Sequence, residues 1–232
     1  MIAEVCLTYL HFGRIRDLSP ALRPLPPTTP FLGYASRYWG AHARRQTSTI
    51  VISLALELLD RFDAHISCEL LLREELWEIR KEDEDYFRLL KCTALHAGAF
   101  LGVMEIMVSL FKINKWDLNA TNMSASTVLM LATIMGHDAI VKVLLEQESI
   151  DPHIVDRWGR TPLSWAAEKG HEGIVEILLE WSDMDLDTAD KDGQPPLLLA
   201  AKNGRENIVR VLLKRNNVNP DTADKSRRTA FS

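Results

Sequence analysis

Slid along itself by 34 residues, the second half of the chain matches itself in both directions. Helix-start residues fall at Thr93, Thr127, Thr161, Pro195 and Thr229, and leucines at Leu95, Leu129, Leu163 and Leu197. Gly102, Gly136, Gly170 and Gly204 keep the same step, as do Ile106, Ile140, Ile174 and Ile208, then Asp117, Asp151, Asp185 and Asn219. Agreement at this many positions means a stack of one supersecondary unit, because such a unit cannot bury its apolar face alone.

The unit is most legible at Thr161–Glu180. Thr161 offers an oxygen to the free N–H groups of a helix start, and Pro162 sits at the first helical position, where its missing N–H costs nothing. Leu163, Ala166 and Ala167 form a narrow face that lets another helix approach. Gly170 ends that helix in a left-handed turn. Ile174, Val175, Leu178 and Leu179 then take the spacing of a second amphipathic helix.

Thr93-Ala94-Leu95-His96, Thr161-Pro162-Leu163, Gly136-His137 and Gly170-His171 resemble the signature positions of the ankyrin repeat. Asp156–Thr161 and Asp190–Gln194 look like its β-turn fingers. The resemblance implies an all-α ankyrin-repeat solenoid over 93–232: repeats 93–122, 123–156, 157–190 and 191–224, and a truncated fifth at 225–232. The first repeat is the least regular, with Ala97-Gly98 in place of the usual Leu-Ala, as at Leu131-Ala132 and Leu199-Ala200.

Two further segments precede the array. Residues 47–92 read as a helical connector and N-terminal cap. Thr47 or Ser48 starts one helix, in which Ile50, Leu54 and Leu58 form a row; a second spans 67–79, before the mostly acidic 80–85. Residues 1–46 hold an apolar start at 4–10, a Pro-rich linker at 20–30, and a helix whose Leu32, Ala35, Trp39 and Ala43 share a face. Val5–Leu10 and Phe31–Arg44 resemble the region after the NTPase in fungal NACHT–ankyrin proteins, which are NLR-like signalling ATPases. The resemblance implies a remnant of that post-NACHT region, in a truncated paralogue or regulatory subunit. The family's phosphate-binding Gly-Lys-Ser/Thr does not occur in the chain, so its NTP hydrolysis is not carried over.

Composition bounds the function. A net charge of −5 and a pI near 5.8 argue against a general nucleic-acid binder. The six arginines against Glu4 and Asp17 within 1–46 read first as a solvated face or a contact with the acidic segment downstream, with a nucleic-acid or acidic-membrane contact as the alternative. Cys6, Cys68 and Cys92 lack metal-ligand spacing, and no apolar run approaches the ~20 residues of a membrane span. No Ser–His–Asp order, paired-carboxylate motif or His-Glu-x-x-His occurs. The expectation is a non-catalytic intracellular scaffold without cofactor or metal, cytoplasmic with the nucleus as alternative, and bound to a protein rather than to nucleic acid or membrane. An ankyrin-type pathway or transcriptional regulator is the alternative function.

Recognition in such a fold falls where the repeat leaves the residue free: the finger tips and the positions just before each turn glycine. Phe100, Leu101, Ile134, Met135 and Trp158 are apolar at such positions, and Arg157 and Arg160 bracket Trp158. These seven residues are the candidate partner surface. The competing expectation is that the connector folds back over Phe100, Leu101, Ile134 and Met135. The last repeat, with Leu197, Leu198, Val211 and Leu212 lacking a complete neighbour, is a second candidate edge for association.

Overall fold

The computed structural model describes residues 1–11, 13–16, 31–60, 93–113, 116–122, 124–181 and 183–231. The expected linker at 20–30, the helix at 67–79 and the acidic run at 80–85 lie outside the described residues. Every regular element among the described residues is an α-helix. The chain divides into two compact units, Met1–Trp116 and Asp117–Ser232.

The first unit contains α1 (Ile2–His11), α2 (Gly13–Arg16), α3 (Leu32–Arg45), α4 (Thr49–Asp60), α5 (Ala94–Leu101) and α6 (Met104–Ile113). The Leu32–Ala35–Trp39–Ala43 face of α3 is fully buried, and α3 packs against α1, whose Cys6, Leu7 and Leu10 are equally buried. Each such leucine contributes about 2 kcal/mol by leaving water. The Ser48 hydroxyl caps α4 by accepting from Val51 N–H at 3.2 Å. The buried stripe of α4 is Val51, Ala55, Leu58 and Leu59, and Ile50 is 55% exposed. The expected row through Ile50 is therefore rotated: α4 meets α1 on one side and α5 and α6 on another, and both contacts favour the Val51 side.

The irregular first helix pair has a packing reason. A Cβ on Gly98 would come within 2.8 Å of Met107 Sδ and 3.0 Å of Leu110 Cδ1. One and two periods on, the residues corresponding to Met107 are Val141 and Val175, while those corresponding to Gly98 are Ala132 and Ala166. The larger thioether in one helix is matched by a missing methyl in the other. Past α6, Trp116 Nε1–H donates to Leu110 O at 2.8 Å.

The second unit stacks three helix pairs: α7 (Val128–Ile134) with α8 (Asp138–Leu145), α9 (Pro162–Lys169) with α10 (Glu172–Leu179), and α11 (Pro196–Lys202) with α12 (Glu206–Leu213). First helices stack on first helices and second on second. The Thr127 and Thr161 hydroxyls accept from Met130 N–H at 3.3 Å and Ser164 N–H at 3.1 Å. Pro195 has no such bond, and α11 starts on two prolines instead. Gly136, Gly170 and Gly204 turn the chain at φ of 71°, 87° and 67°. The residue after each of the last two ties its turn to the repeat before. His171 Nε2–H donates to Ile134 O at 3.1 Å, and Arg205 Nε–H to Glu168 O at 3.2 Å.

The end of the stack differs from expectation. Leu197, Leu198 and Leu212 are buried and Val211 half-buried; the chain from Asp224 to Ala230 lies against Leu198 and Ala201 of α11, and Val211 faces Val175 of α10. The open row is Val209 and Leu213, one period beyond Val175 and Leu179, with Leu213 40% exposed. Glu206, Arg210 and Lys214, all exposed, surround it.

Thr161 lies in the middle of its unit, with repeats on both sides. Thr161→Ala removes its cap and is expected to cost about 1 kcal/mol, read as a lower urea midpoint at unchanged m-value.

Candidate protein-interaction surface

Each repeat of the second unit begins with a finger, and one side chain organises it. Asp156 Oδ1 accepts from Trp158 N–H at 2.8 Å and Arg160 N–H at 2.9 Å, while the Asp156 backbone bonds Arg160 O and Gly159 N–H. The same bonds recur at Asn122, Asp190 and Asp224, one period apart. The loop closes only if its fourth residue is left-handed. That residue is Gly159 or Gly193 in the middle fingers, but Ala125 at φ 56° and Arg227 at φ 64° in the outer two. A non-glycine residue there costs on the order of 1 kcal/mol.

Consecutive fingers are bonded along their backbones. Arg157 N–H donates to Ser124 O at 2.9 Å, Lys191 N–H to Trp158 O at 2.8 Å, and Lys225 N–H to Asp192 O at 3.0 Å. The residue after each organising Asp is thus held in a row: Arg157, Lys191 and Lys225, all exposed.

The second oxygen of each Asp meets something different. Asp156 Oδ2 accepts from the indole Nε1–H of Trp165 at 2.9 Å. Asp190 Oδ2 accepts from Arg160 Nε at 3.3 Å, and Asp224 Oδ2 from Arg228 Nε at 3.0 Å. Asn122 has no second carboxylate oxygen, and the residue in its Trp165 position is Leu131, which offers no N–H. Burial pushes the Asp156 carboxyl up from its ordinary range, against the lowering effect of the Arg160 amide, the indole, the Trp158 amide and the Arg160 charge. Asp224 is held low, first by the Arg228 amide and then by its side chain. Outside the fingers, Asp185 is also held low, first by the Thr188 hydroxyl and then by the Asp187 amide.

Around Trp165 these groups form a cluster. The Trp158 ring stands edge-on to it at 6.1 Å, and the Arg160 guanidinium lies 4.6 Å from its centroid. Arg160 also pairs with Glu168 at 2.5 Å, and Lys169 Nζ sits 6.0 Å from the Trp165 centroid. Arg157 lies 5.9 Å over Trp158. Trp165 is buried and Trp158 half-buried, so Trp158 is the aromatic available to a partner.

The seven expected surface residues divide. Arg157, Trp158 and Arg160 come together on one finger beside α9. Ile134 and Met135 end α7, half-buried, at the positions that Glu168 and Lys169 hold one repeat later. Phe100 and Leu101 are 3% and 4% exposed, which corrects the expectation that they line a surface. At Leu101 the reason is α3: Leu101 packs on Gly40, and Arg44 Nη1 donates to Leu101 O. The helix over Leu101 is thus α3, from residues 1–46, while α4, from the expected connector, also meets α5. Trp165, Glu168 and the organising Asp residues were missed as parts of this cluster. The step from Asp156 to Asp190 and Asp224 was the available signal.

The fold and surface define a class, a stack of helix pairs with hydrogen-bonded fingers. Residues 147–224 match the family model for ankyrin repeats (3 copies), and residues 126–157 match that for an ankyrin repeat. The segment 126–224 is therefore made of ankyrin repeats, and this part of the chain is an all-α ankyrin solenoid. The pair α5–α6 lies outside the matched segments. A comparison with curated proteins returns no match. No described helix is long and apolar enough to cross a membrane, and no His/Cys/Asp/Glu group among the described residues could hold a metal ion.

Two expectations follow. Asp156→Asn turns an amide N–H toward the Trp165 N–H and should cost about 1–3 kcal/mol. In a Trp165→Leu background, which copies the Asn122–Leu131 pairing, most of that cost should vanish; a urea double-mutant cycle reads the coupling. Asp224 has its folded pKa below the unfolded value, so its contribution is present above about pH 4 and is lost as pH falls through the folded value. The stability gap between the native chain and Asp224→Asn should accordingly shrink as pH falls below about 4.

Proposed function

We propose that the chain is a non-catalytic protein-binding scaffold whose partner docks on the finger side of the ankyrin repeats, centred on Trp158. Ankyrin repeats as a class suggest protein–protein interaction. One observation carries the location. The residues corresponding to Trp158 are Ser124, Asp192 and Ser226, so the finger closes without an aromatic, yet a half-exposed indole flanked by guanidinium groups stands there. Indole and guanidinium are the groups that most often dominate binding energy. Ile134 and Met135 extend the surface by one repeat, apolar where the later repeats are charged or polar. The reading places the protein in the cytoplasm.

A narrower reading, a regulatory subunit or truncated relative of an NLR-like signalling NTPase, is supported by the resemblance of Val5–Leu10 and Phe31–Arg44. Co-purification with a separate ATP-binding protein favours it. Pathway or transcriptional regulation is the remaining alternative, favoured by nuclear accumulation.

The test is cross-linked capture from native cells with the full chain, Trp158→Ala and Ile134→Lys, each first checked by circular dichroism. Both variants should fold, and loss of a central aromatic anchor worth about 2 kcal/mol should deplete the captured partner roughly 30-fold. Equal capture by the native chain and Trp158→Ala overturns the assignment. Micromolar binding of Mg-ATP by the purified chain overturns the non-catalytic scaffold.

A further inference from the structure

Exposed acids and bases share the second helices, where Lys142, Arg210 and Lys214 stand among the acids, whereas the exposed charge of the fingers is mainly basic. Exposed acids lie on the second helices and the loops around them, at Asp138, Glu146, Glu148, Glu172, Glu176, Glu180, Asp183 and Asp185. On the fingers, three of the four acidic or amide organisers are carboxylates, and these are buried and occupied by their own loops. What the fingers present instead is Arg157, Lys191, Lys225 and Arg227, all exposed. Lys191, Lys225 and Arg227 make no ion pair among the described residues. Asp192 is the exposed acid within this row.

We propose that the finger row Arg157–Lys191–Lys225, extended by Arg227, docks an extended acidic segment of a partner protein. The proposal rests on the finger-side reading above and specifies the partner's chemistry. Three observations carry it. First, the backbone bonds between fingers hold the cations in order, so the row is a built feature. One Cα step plus one hydrogen-bonded chain separation puts successive members on the order of 8–9 Å apart. An extended peptide repeats its same-face side chains about every 7 Å, within the reach of long basic side chains. Acids at alternate positions therefore meet the row without bending the peptide.

Second, Arg227 occupies a left-handed position that Gly193 and Gly159 fill in the two preceding fingers. Ala125 holds the same position uncharged, so a side chain is tolerated there, and Arg227 places a fourth cation beside the row. Third, the charge balance selects among polyanions. Phosphate-backbone binders are basic overall, with a pI above about 9, whereas this chain has a net charge of −5 and a pI near 5.8. A local basic row on an acidic body suits a short carboxylate segment, while a long polyanion would run past the row into acidic surface. Trp158, whose carbonyl bonds Lys191, adds an apolar contact within the row.

The probe is a fluorescein-labelled peptide of alternating glutamate and serine, titrated with the full chain by anisotropy at low and physiological salt. The same peptide with glutamine for glutamate is the control. The glutamate peptide should bind, the glutamine peptide should not, and salt should weaken the binding. The triple substitution Arg157→Ser, Lys191→Ser and Lys225→Ser alters exposed side chains and should weaken binding about tenfold. Arg227→Gly should raise the urea midpoint while weakening the peptide about threefold. No binding of the glutamate peptide at low salt, or binding untouched by the triple substitution, overturns the proposal. Tighter binding of a single-stranded oligonucleotide of equal charge, lost in the same triple variant, overturns it in favour of nucleic acid. If native-cell capture is lost in Trp158→Ala but survives the triple substitution, the scaffold reading stands and the acidic partner falls.

Discussion

The second unit depends on one carboxylate geometry repeated at each finger. A finger is a short loop whose N–H groups have no helix to bond, and burying them without partners would cost a few kcal/mol each. Asp156, Asp190 and Asp224 solve this with one oxygen that accepts two loop amides at 2.8–3.0 Å, and Asn122 does the same with its amide oxygen. Once the loop is closed in this way its edge is straight enough to bond the next finger. The order of side chains along the finger row follows from that bond and from nothing in the side chains themselves.

A second constraint works at the other end of each first helix. The left-handed glycine reverses the chain, and the next residue reaches back to a carbonyl of the previous repeat. His171 and Arg205 are chemically different but fill the same position with the same bond. In the protonation state that places N–H on Nε2, a histidine there is a structural donor. This is why its appearance beside a glycine carries no catalytic meaning. The outer loops add a third tie, with Asp151 N–H donating to Asn119 Oδ1 and Asn219 N–H to Asp187 Oδ2. Repeats 157–190 and 191–224 are thus fastened to each other at finger, turn and loop, in keeping with nearest-neighbour stability in repeat proteins.

What was legible in the sequence was whatever recurs. The threonine caps, the glycine turns, the helix pairs and the finger positions all follow from the period, because the same local physics acts at each step. What was not legible depends on a partner outside the repeat. Leu101 reads as free in the pattern and is buried because Gly40, 61 residues earlier, leaves room for it. Ile50 reads as core and is exposed because α4 is clamped from the Val51 side. Leu197 and Leu198 read as an open edge, yet the final finger covers α11, and the edge that stays open is Val209 and Leu213. The cluster around Trp165 was half legible. The period located Asp156, but only the structure pairs its second oxygen with an indole.

That second oxygen is where folding and recognition meet. The first oxygen does the same task in every finger and so carries no information about a partner. The second is met by the buried Trp165 of α9, or by Arg160 or Arg228, which belong to the fingers themselves. Arg160 shows the consequence: it holds Asp190 of the next finger, pairs with Glu168 and covers Trp165. A substitution there would change stability, the neighbouring finger and the surface at once, and no binding loss could be assigned to contact alone. Lys191, Lys225 and Arg227 are placed by backbone bonds and project from loops closed by other residues. Their side chains can vary with little effect on the fold beyond the strain at Arg227, so charge at these positions reports on a partner more cleanly than charge at Arg160.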